Sequence, residues 1–575
     1  MRNTAGLLET VDFFRLDASR KLEHGRRADL GQYMTPPATA RLMASMFRGE
    51  QESIRLLDAG AGVGSLTAAF VSEMCGRSAR PKAIQATAYE IDPQLAEYLA
   101  DTLNQCGCAC QEAGIEFRAE LIRRDFIDEG VGMLRRQMFA SAPAFDCAIL
   151  NPPYKKIHSE SEMRQMLREI GIETSNLYTG FLAVVLKLLA HAGELVAITP
   201  RSFCNGPYFK PFRKLLLDTL SIKRIHVYES RQVAFKEDEV LQENVIFHGI
   251  RESDGRGTVT ISSTTGPDDE APVLREVLYS ELVRPGDPEY FVHIVPDELG
   301  ASVAEQLGRL HWSLPEHGIQ VSTGRVVDFR ATKLLRAFPD ATTAPLIYPL
   351  NFESGYIEWP KTGARKSQAL ALLPGSDELL IPKGTYVLVK RFSAKEETRR
   401  VVAAIYDPGR VPAERVGFEN HLNYFHRNGG GLPITLAKGL AAFLNSTLVD
   451  LYFRQFSGHT QVNAADLRNL KYPTRSQLEA LGSRIGDRFP DQSTIDRHVE
   501  EALNLPDATG VTDPVRAKKK IDEAWAILRA LDLPREQQNE RSALTLLALL
   551  DLKPETPWAE ARDPLMGITP MMEFF

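Results

Sequence analysis

Between Ile54 and Gly249 the chain alternates short apolar runs with amphipathic stretches, and nothing else in the sequence limits the fold as strongly. The runs Ile54–Leu57, Ala83–Tyr89, Ile115–Leu121, Cys147–Leu150, Leu195–Ile198, Ile222–Tyr228 and Val245–Ile250 have the length of strands. Helical patterns fill most of the gaps. Strands joined by helices pair in parallel, so this region predicts an α/β domain with a mostly parallel sheet. A further strand, Thr258–Ser262, precedes a Gly-Pro-Asp-Asp-Glu linker near 266–270.

The flanks differ. Residues 1–48 read as helical with a break at Gly31–Pro37, where Thr35-Pro36 has the form of a helix entry. From 301 to 475 short β-like pieces (Leu346–Leu350, Tyr356–Trp359, Tyr386–Val389) lie among Gly, Pro, Asn and basic residues, as in a separate mixed α/β domain. Residues 476–512 read as a helical linker. The helical pattern of 513–575 puts Ile521, Ala524, Ile527 and Leu528 on one face. The expected division is therefore 1–300, 301–475, 476–512 and 513–575.

Composition narrows the class. With 575 residues, 43% hydrophobic and 25% charged, the chain is ordinary globular protein and not a rod, a collagen or a long disordered segment. Its most apolar stretches, Phe181–Ala190 and Leu544–Leu552, fall short of the ~20 residues that cross a bilayer. The first residues have no signal-peptide core. A cytoplasmic location follows as the expectation. Six cysteines are too few for a disulfide scaffold, and the spacing of Cys106, Cys108 and Cys110 is not that of a zinc knuckle. That cluster reads as a short loop or strand edge, and no metal is expected. The net charge is −7, yet residues 301–475 hold 22 basic and 15 acidic side chains, a local +7. A basic block in an acidic chain suits a polyanion partner.

Four motifs stand at successive strand ends. Asp58-Ala59-Gly60-Ala61-Gly62-Val63-Gly64 ends the first strand with glycines that let backbone approach a ligand. Glu90, followed by Ile91 and Asp92-Pro93, ends the second; an acidic residue there accepts ribose hydroxyls, and Asp92-Pro93 also reads as a helix cap. Asp125-Phe126 ends the third, an acceptor beside a flat ring, suited to adenine. Asn151-Pro152-Pro153-Tyr154 follows the fourth. Two prolines stiffen that loop, Asn supplies a carbonyl acceptor and Tyr a flat face. It contains no nucleophile and no ordinary acid or base. It suits an exocyclic amine on a planar ring.

Taken in order, these motifs resemble the S-adenosylmethionine-dependent amino-methyltransferases of DNA, in the gamma (TaqI-like) class of N6-adenine enzymes found in bacterial type II restriction-modification systems. In that class a segment like Gly31-Gln32-Tyr33-Met34-Thr35-Pro36-Pro37 precedes the glycine loop, as here. The resemblance implies a Rossmann-like methyltransferase domain. Thr35, Asp58, Ala59, Gly60, Gly62, Glu90, Ile91, Asp125 and Phe126 would line the cofactor pocket. Asn151, Pro152, Pro153 and Tyr154 would form the catalytic corner. Tyr154 and Phe235 would stack on an extruded adenine. The Glu243-Asn244-Val245 tripeptide occurs in cytosine-5 methyltransferases, but those need a Pro-Cys pair that this chain lacks.

Beyond the catalytic region, Ser322–Asp328, Phe418–His426 and Ser457–Asn463 resemble target-recognition domains of type II modification enzymes; Asn463 with Asp466 is equally a helix cap. Glu536–Ala548 and Gly567–Phe574 resemble the N-terminal helical module of BsuBI/PstI restriction endonucleases. The nuclease core of those enzymes has no counterpart here, so nuclease activity is not expected. The resemblance implies duplex DNA as substrate, a nucleoid-associated enzyme, and a cognate endonuclease whose cutting the methylation blocks. Enzymes that methylate RNA bases or glutamine side chains share the Asn-Pro-Pro-Tyr loop but rarely carry a basic domain of about this size. A DNA-binding subunit without catalysis is opposed by the intact loop motifs.

Overall fold

In a computed structural model the described residues are 4–21, 34–137, 144–228, 244–252, 257–264, 266, 272–295, 298–393, 397–456 and 461–504. They form two compact units. The first contains residues up to 309 together with 391–401 and 450–470; the second contains 310–390, 402–449 and the chain from 471. The stretch expected as one block, 301–475, is thus shared between them. Phe235, the Ser457–Thr460 part of one motif and the tail from 505 lie outside the described residues.

In chain order the first unit comprises α1 (Thr4–Lys21), α2 (Pro37–Ala44), β1 (Ser53–Ala59), α3 (Ser65–Gly76), β2 (Ala83–Tyr89), α4 (Pro93–Ala113), β3 (Glu116–Ile122), α5 (Phe126–Gln137), β4 (Phe145–Leu150), α6 (Glu162–Glu169), α7 (Leu177–Leu188), β5 (Leu189–Pro200), α8 (Lys210–Thr219), β6 (Ser221–Tyr228), β7 (Asn244–Ile250), β8 (Thr258–Thr264) and β9 (Val273–Leu278). All eight strand expectations fall on observed strands. The nine strands make one sheet ordered β3-β2-β1-β4-β5-β7-β6-β8-β9. β1 pairs in parallel with both β2 and β4, whereas β7 lies antiparallel between β5 and β6. The chain direction of the crossovers reverses between β1 and β4. A cleft at the carboxyl ends of the strands opens at such a switch point.

Side-chain alternation along the strands builds a core on each face. Leu57, Ala148, Leu150, Leu195 and Ala197 pack with α5, α7 and α8 on one side. Leu56, Cys147, Ile149, Val196 and Ile198 pack with α1 to α4 on the other. Each large side chain so withdrawn from water contributes about 1.5–3 kcal/mol. α7 is apolar all round and buried along nearly its whole length, and it continues into β5 with no connecting loop.

Two local readings are corrected, at the cysteines and at Thr35. Cys106, Cys108 and Cys110 lie in α4; Cys106 and Cys110, one turn apart, face the core and Cys108 faces out. An i, i+2 spacing looks strand-like, but the buried pair is the i, i+4 one. The residue before α2 is Pro36, not Thr35, whose hydroxyl is used elsewhere. The expected linker after 475 contains two helices, Arg475–Ser483 and Gln492–Asn504, packed in the second unit. Helix Ile434–Leu444 crosses the first of these at paired glycines: a Cβ on Gly439 would stand 1.8 Å from the Leu478 carbonyl oxygen, and one on Gly482 1.8 Å from that of Thr435. Only glycine permits so close a crossing.

The second unit also holds two small sheets, of six and five strands. Here Ser322–Asp328 and Phe418–His426 come together. Strand Gln320–Thr323 pairs antiparallel with Leu422–His426, and Asn420 N–H donates to the Val326 carbonyl at 2.8 Å. Ser322 bonds His426 at 2.9 Å and Thr323 donates to Asn423 at 3.2 Å, so these polar groups are spent inside the fold. In the first unit Asn463 and Asp466 form a capping box. Among the described residues no single helix is long and apolar enough to cross a membrane.

Candidate active site

The glycine loop takes its shape from backbone. Gly60 N–H and Ala61 N–H both donate to the Tyr89 carbonyl, at 3.0 and 2.8 Å, which ties the end of β1 to the end of β2. Gly60, Gly62 and Gly64 all have positive φ (79°, 59° and 88°), a region that penalises any Cβ. Gly64 also lies against α4: a Cβ there would meet Leu99 and Thr102 at 2.8 Å. At Gly62 the nearest atom to such a Cβ is 3.9 Å away, so the loop leaves room on its cavity side.

A cavity of about 360 Å³ opens above this loop, within the usual size for a small-molecule site. It is lined by Thr35, Gly60, Gly62, Glu90, Ile91, Asp125 and Phe126 of the expected cofactor set, and by Asn151 and Pro153 of the expected catalytic corner. Asp58 and Ala59 lie beneath the loop and not on the wall.

Glu90 joins the parts. One carboxylate oxygen accepts from Gly62 N–H at 2.8 Å and the other from Asp92 N–H at 2.7 Å. Burial pushes its pKa up, and these amides pull it down. Asp92 caps α4 through Gln94 N–H and Leu95 N–H, with Pro93 in the first turn. Asp125 likewise caps α5, its Oδ1 accepting from Ile127 N–H at 2.8 Å. Phe126 stands between Tyr89 and Phe181, ring centroids 5.2 Å from each. Ile91 is 56% exposed although it is a large aliphatic residue on the wall.

Asp58 is 1% exposed. Its Oδ2 accepts from the Thr67 hydroxyl at 2.7 Å, while Oδ1 is buried without a hydrogen-bond partner. Loss of water raises this carboxyl to about 7, against the pull of Thr67 and with a further push from Glu90.

The Asn-Pro-Pro-Tyr corner is held by side chains. Asn151 Nδ2 donates to Thr35 Oγ1 at 3.2 Å, and Asn151 Oδ1 accepts from the Tyr154 hydroxyl at 3.0 Å. That hydroxyl lies 3.3 Å from the Ile198 carbonyl, and the Tyr154 ring packs edge-on against Tyr178 at 6.0 Å. Pro152 is buried behind the corner. Tyr154 therefore faces the protein and not the cavity. Sequence reasoning did not single out Phe181, Lys155, Lys156 or His158, which also line the cavity. Phe181 lies within an apolar run that signals only burial; the basic residues follow the corner directly, but charge alone does not mark a wall.

The residues suit the S-adenosylmethionine that the resemblance implies. An acidic acceptor at the end of β2, an apolar slot between Ile91 and Phe126, and a buried orphan oxygen under an open glycine loop are the donor set for an adenosyl group with an amino-acid tail.

Residues 87–235 match the family described as Eco57I restriction-modification methylase, and residues 518–575 the BsuBI/PstI restriction endonuclease HTH domain. The chain is 46% identical over 495 residues to the type II methyltransferase M.PstI of Providencia stuartii, covering 86% of this chain and 97% of that one. It is 43% identical over 505 residues to type II methyltransferase M.BsuBI of Bacillus subtilis, covering 86% and 98%. Among solved structures it is similar to the type IIL restriction-modification enzyme MmeI, solved in complex with DNA (TM-score 0.50, 12% identity, 87% and 75% covered), a likeness of fold.

Proposed function

The chain belongs to the type II methyltransferases of restriction-modification systems, and from that premise we propose that it methylates the N6 amine of adenine at a short site in duplex DNA. S-adenosylmethionine is the cofactor; it supplies an electrophilic methyl group carried on a sulfonium. One observation carries the adenine reading: Asn151 and Pro153 line the same cavity as Gly60, Gly62 and Glu90.

The N6 lone pair is delocalised into the purine ring and is a poor nucleophile. Asn151 Oδ1 and the Pro152 carbonyl accept the two N6 hydrogens, which turns the lone pair toward the methyl carbon. Catalysis then comes from position and electrostatics. Thr35 holds the other end of the Asn151 amide, so the oxygen points away from it. Adenine must leave the helix to reach the cavity, at a cost of a few kcal/mol. Stacking on Tyr154 and Phe235, at ~1–3 kcal/mol per base, offsets part of that. For Tyr154 this requires the ring to leave Tyr178 and its hydroxyl to release Asn151. Thr35, Gly60, Gly62, Glu90, Ile91, Asp125 and Phe126 hold the cofactor, with Glu90 on the ribose, while Asp58 and Ala59 support the glycine loop from beneath.

The second unit reads the DNA sequence, methylation protects the host from a cognate endonuclease, and the region 518–575 serves as an auxiliary DNA-binding or docking module. Tritiated methyl transfer to duplex DNA followed by nucleoside analysis tests the chemistry. N6-methyladenine is the expected product; N4-methylcytosine, or label in RNA or protein alone, overturns the reading.

A further inference from the structure

Two phenylalanines of the second unit stand in water. Phe329 is 75% exposed and Phe338 77%, values matched among the large apolar side chains of the described residues only by Tyr208. They bracket one short segment, 329–338, with three basic side chains (Arg330, Lys333, Arg336) and no acidic one. The segment is firmly seated. Ala331, Leu334 and Leu335 pack into a small core, Leu335 and Arg336 pair with strand Ala369–Ala371, and Leu334 N–H donates to the Ala331 carbonyl at 2.8 Å. The flanking acids are already engaged. Asp328 accepts from the Tyr348 hydroxyl at 2.9 Å and pairs with Lys366 at 2.7 Å, and Asp340 accepts from Thr342 N–H and its hydroxyl, both at 2.7 Å. The Arg330 guanidinium lies over the Phe329 ring, 5.5 Å from its centroid.

Leaving two phenyl rings in water forgoes burial that the core just beneath them provides to their neighbours. Flat apolar side chains on a rigid, cationic support are what enters between base pairs of a polyanion: the cations hold phosphates while the rings replace a stacked neighbour. We propose that Phe329 and Phe338 form an aromatic wedge that inserts between base steps of duplex DNA, with Arg330 and Lys333 on the adjacent phosphates. This rests on the reading that the chain acts on duplex DNA and assigns one surface for its grip.

The test uses the full chain and a plasmid into which it transfers tritiated methyl groups. Affinity is measured on duplex fragments of that plasmid as a function of salt. Phe329→Ala and Phe338→Ala should each weaken binding about tenfold with the salt slope unchanged, and Phe→Trp should retain binding. Arg330→Ala and Lys333→Ala should each flatten the slope by about 0.9. Calorimetric cofactor binding, at a cavity in the other unit, should be equal in all variants. If the unmodified chain transfers no label to the plasmid, the DNA reading fails. If it does so while both alanine variants bind DNA normally, or if those variants only dissociate a dimer, the wedge is wrong.

Discussion

The two ends of the cavity are built in opposite ways. At the β1 and β2 end, main-chain groups fix the geometry: two amides on the Tyr89 carbonyl, and two amides on the Glu90 carboxylate. At the β4 end, side chains fix it: Thr35 to Asn151, Asn151 to Tyr154. Backbone cannot change partners without unfolding the loop. Side-chain hydroxyls and amides can. The first end is ready for a small molecule that arrives unchanged. In the proposed reaction the second would exchange those internal hydrogen bonds for the ones an incoming base offers. The difference separates a fixed binding surface from one that is assembled on demand.

The sharpest way to break this contrast is Asn151→Ala. It should reduce kcat by a factor on the order of 10²–10³ or more while cofactor affinity stays within about twofold, read by single-turnover methyl transfer and calorimetry. Parallel loss of both quantities would mean that the two ends are one unit. Glu90→Gln comes next. It weakens two charge-assisted bonds and should raise the cofactor dissociation constant by about ten- to a hundredfold with little effect on DNA affinity. Tyr154→Ala should slow turnover about tenfold through lost stacking. Tyr154→Phe should stay within about threefold, because the hydroxyl only parks on Asn151; 2-aminopurine fluorescence at the target base reports extrusion in each.

The smallest effect concerns stability. Buried Asp58 and Asp466 both have carboxyls pushed to about 7 by loss of water. Between about pH 4 and 7 the folded chain holds protons that the unfolded chain releases. Their contribution to stability is therefore full at low pH and is lost as pH rises through that window. Asp58→Asn should remove its part of the decline, so melting temperatures at pH 5 and pH 8 should lie closer together than in the unmodified chain.

The strands were legible because apolar runs and strand-end motifs are local. The ends of β1 to β4 converge on one cavity only through the sheet order, yet Gly60, Glu90, Asp125 and Asn151 could each be picked from its own motif. Phe181 could not, since its role on the wall depends on α7 crossing the sheet. The resemblance places Thr35 on the pocket, where it stands, but its contact with Asn151 spans 116 positions and leaves no local signal. The helical cysteines show the reverse: their short spacing is strand-like, while the long amphipathic pattern around them is the one the chain follows. The second unit is the least legible. Its strands are two to five residues long and owe their pairing to distant partners.

Residues 391–401 and 450–470 return to the first unit after the chain has entered the second. Asp466 is fully buried there and accepts from Asn205 at 3.2 Å. Exchanging the second unit for a foreign one is consequently not a matter of one cut. A transplant must splice around both returning strips, leaving them with the host, or the recombinant will arrive with a hole in its engine.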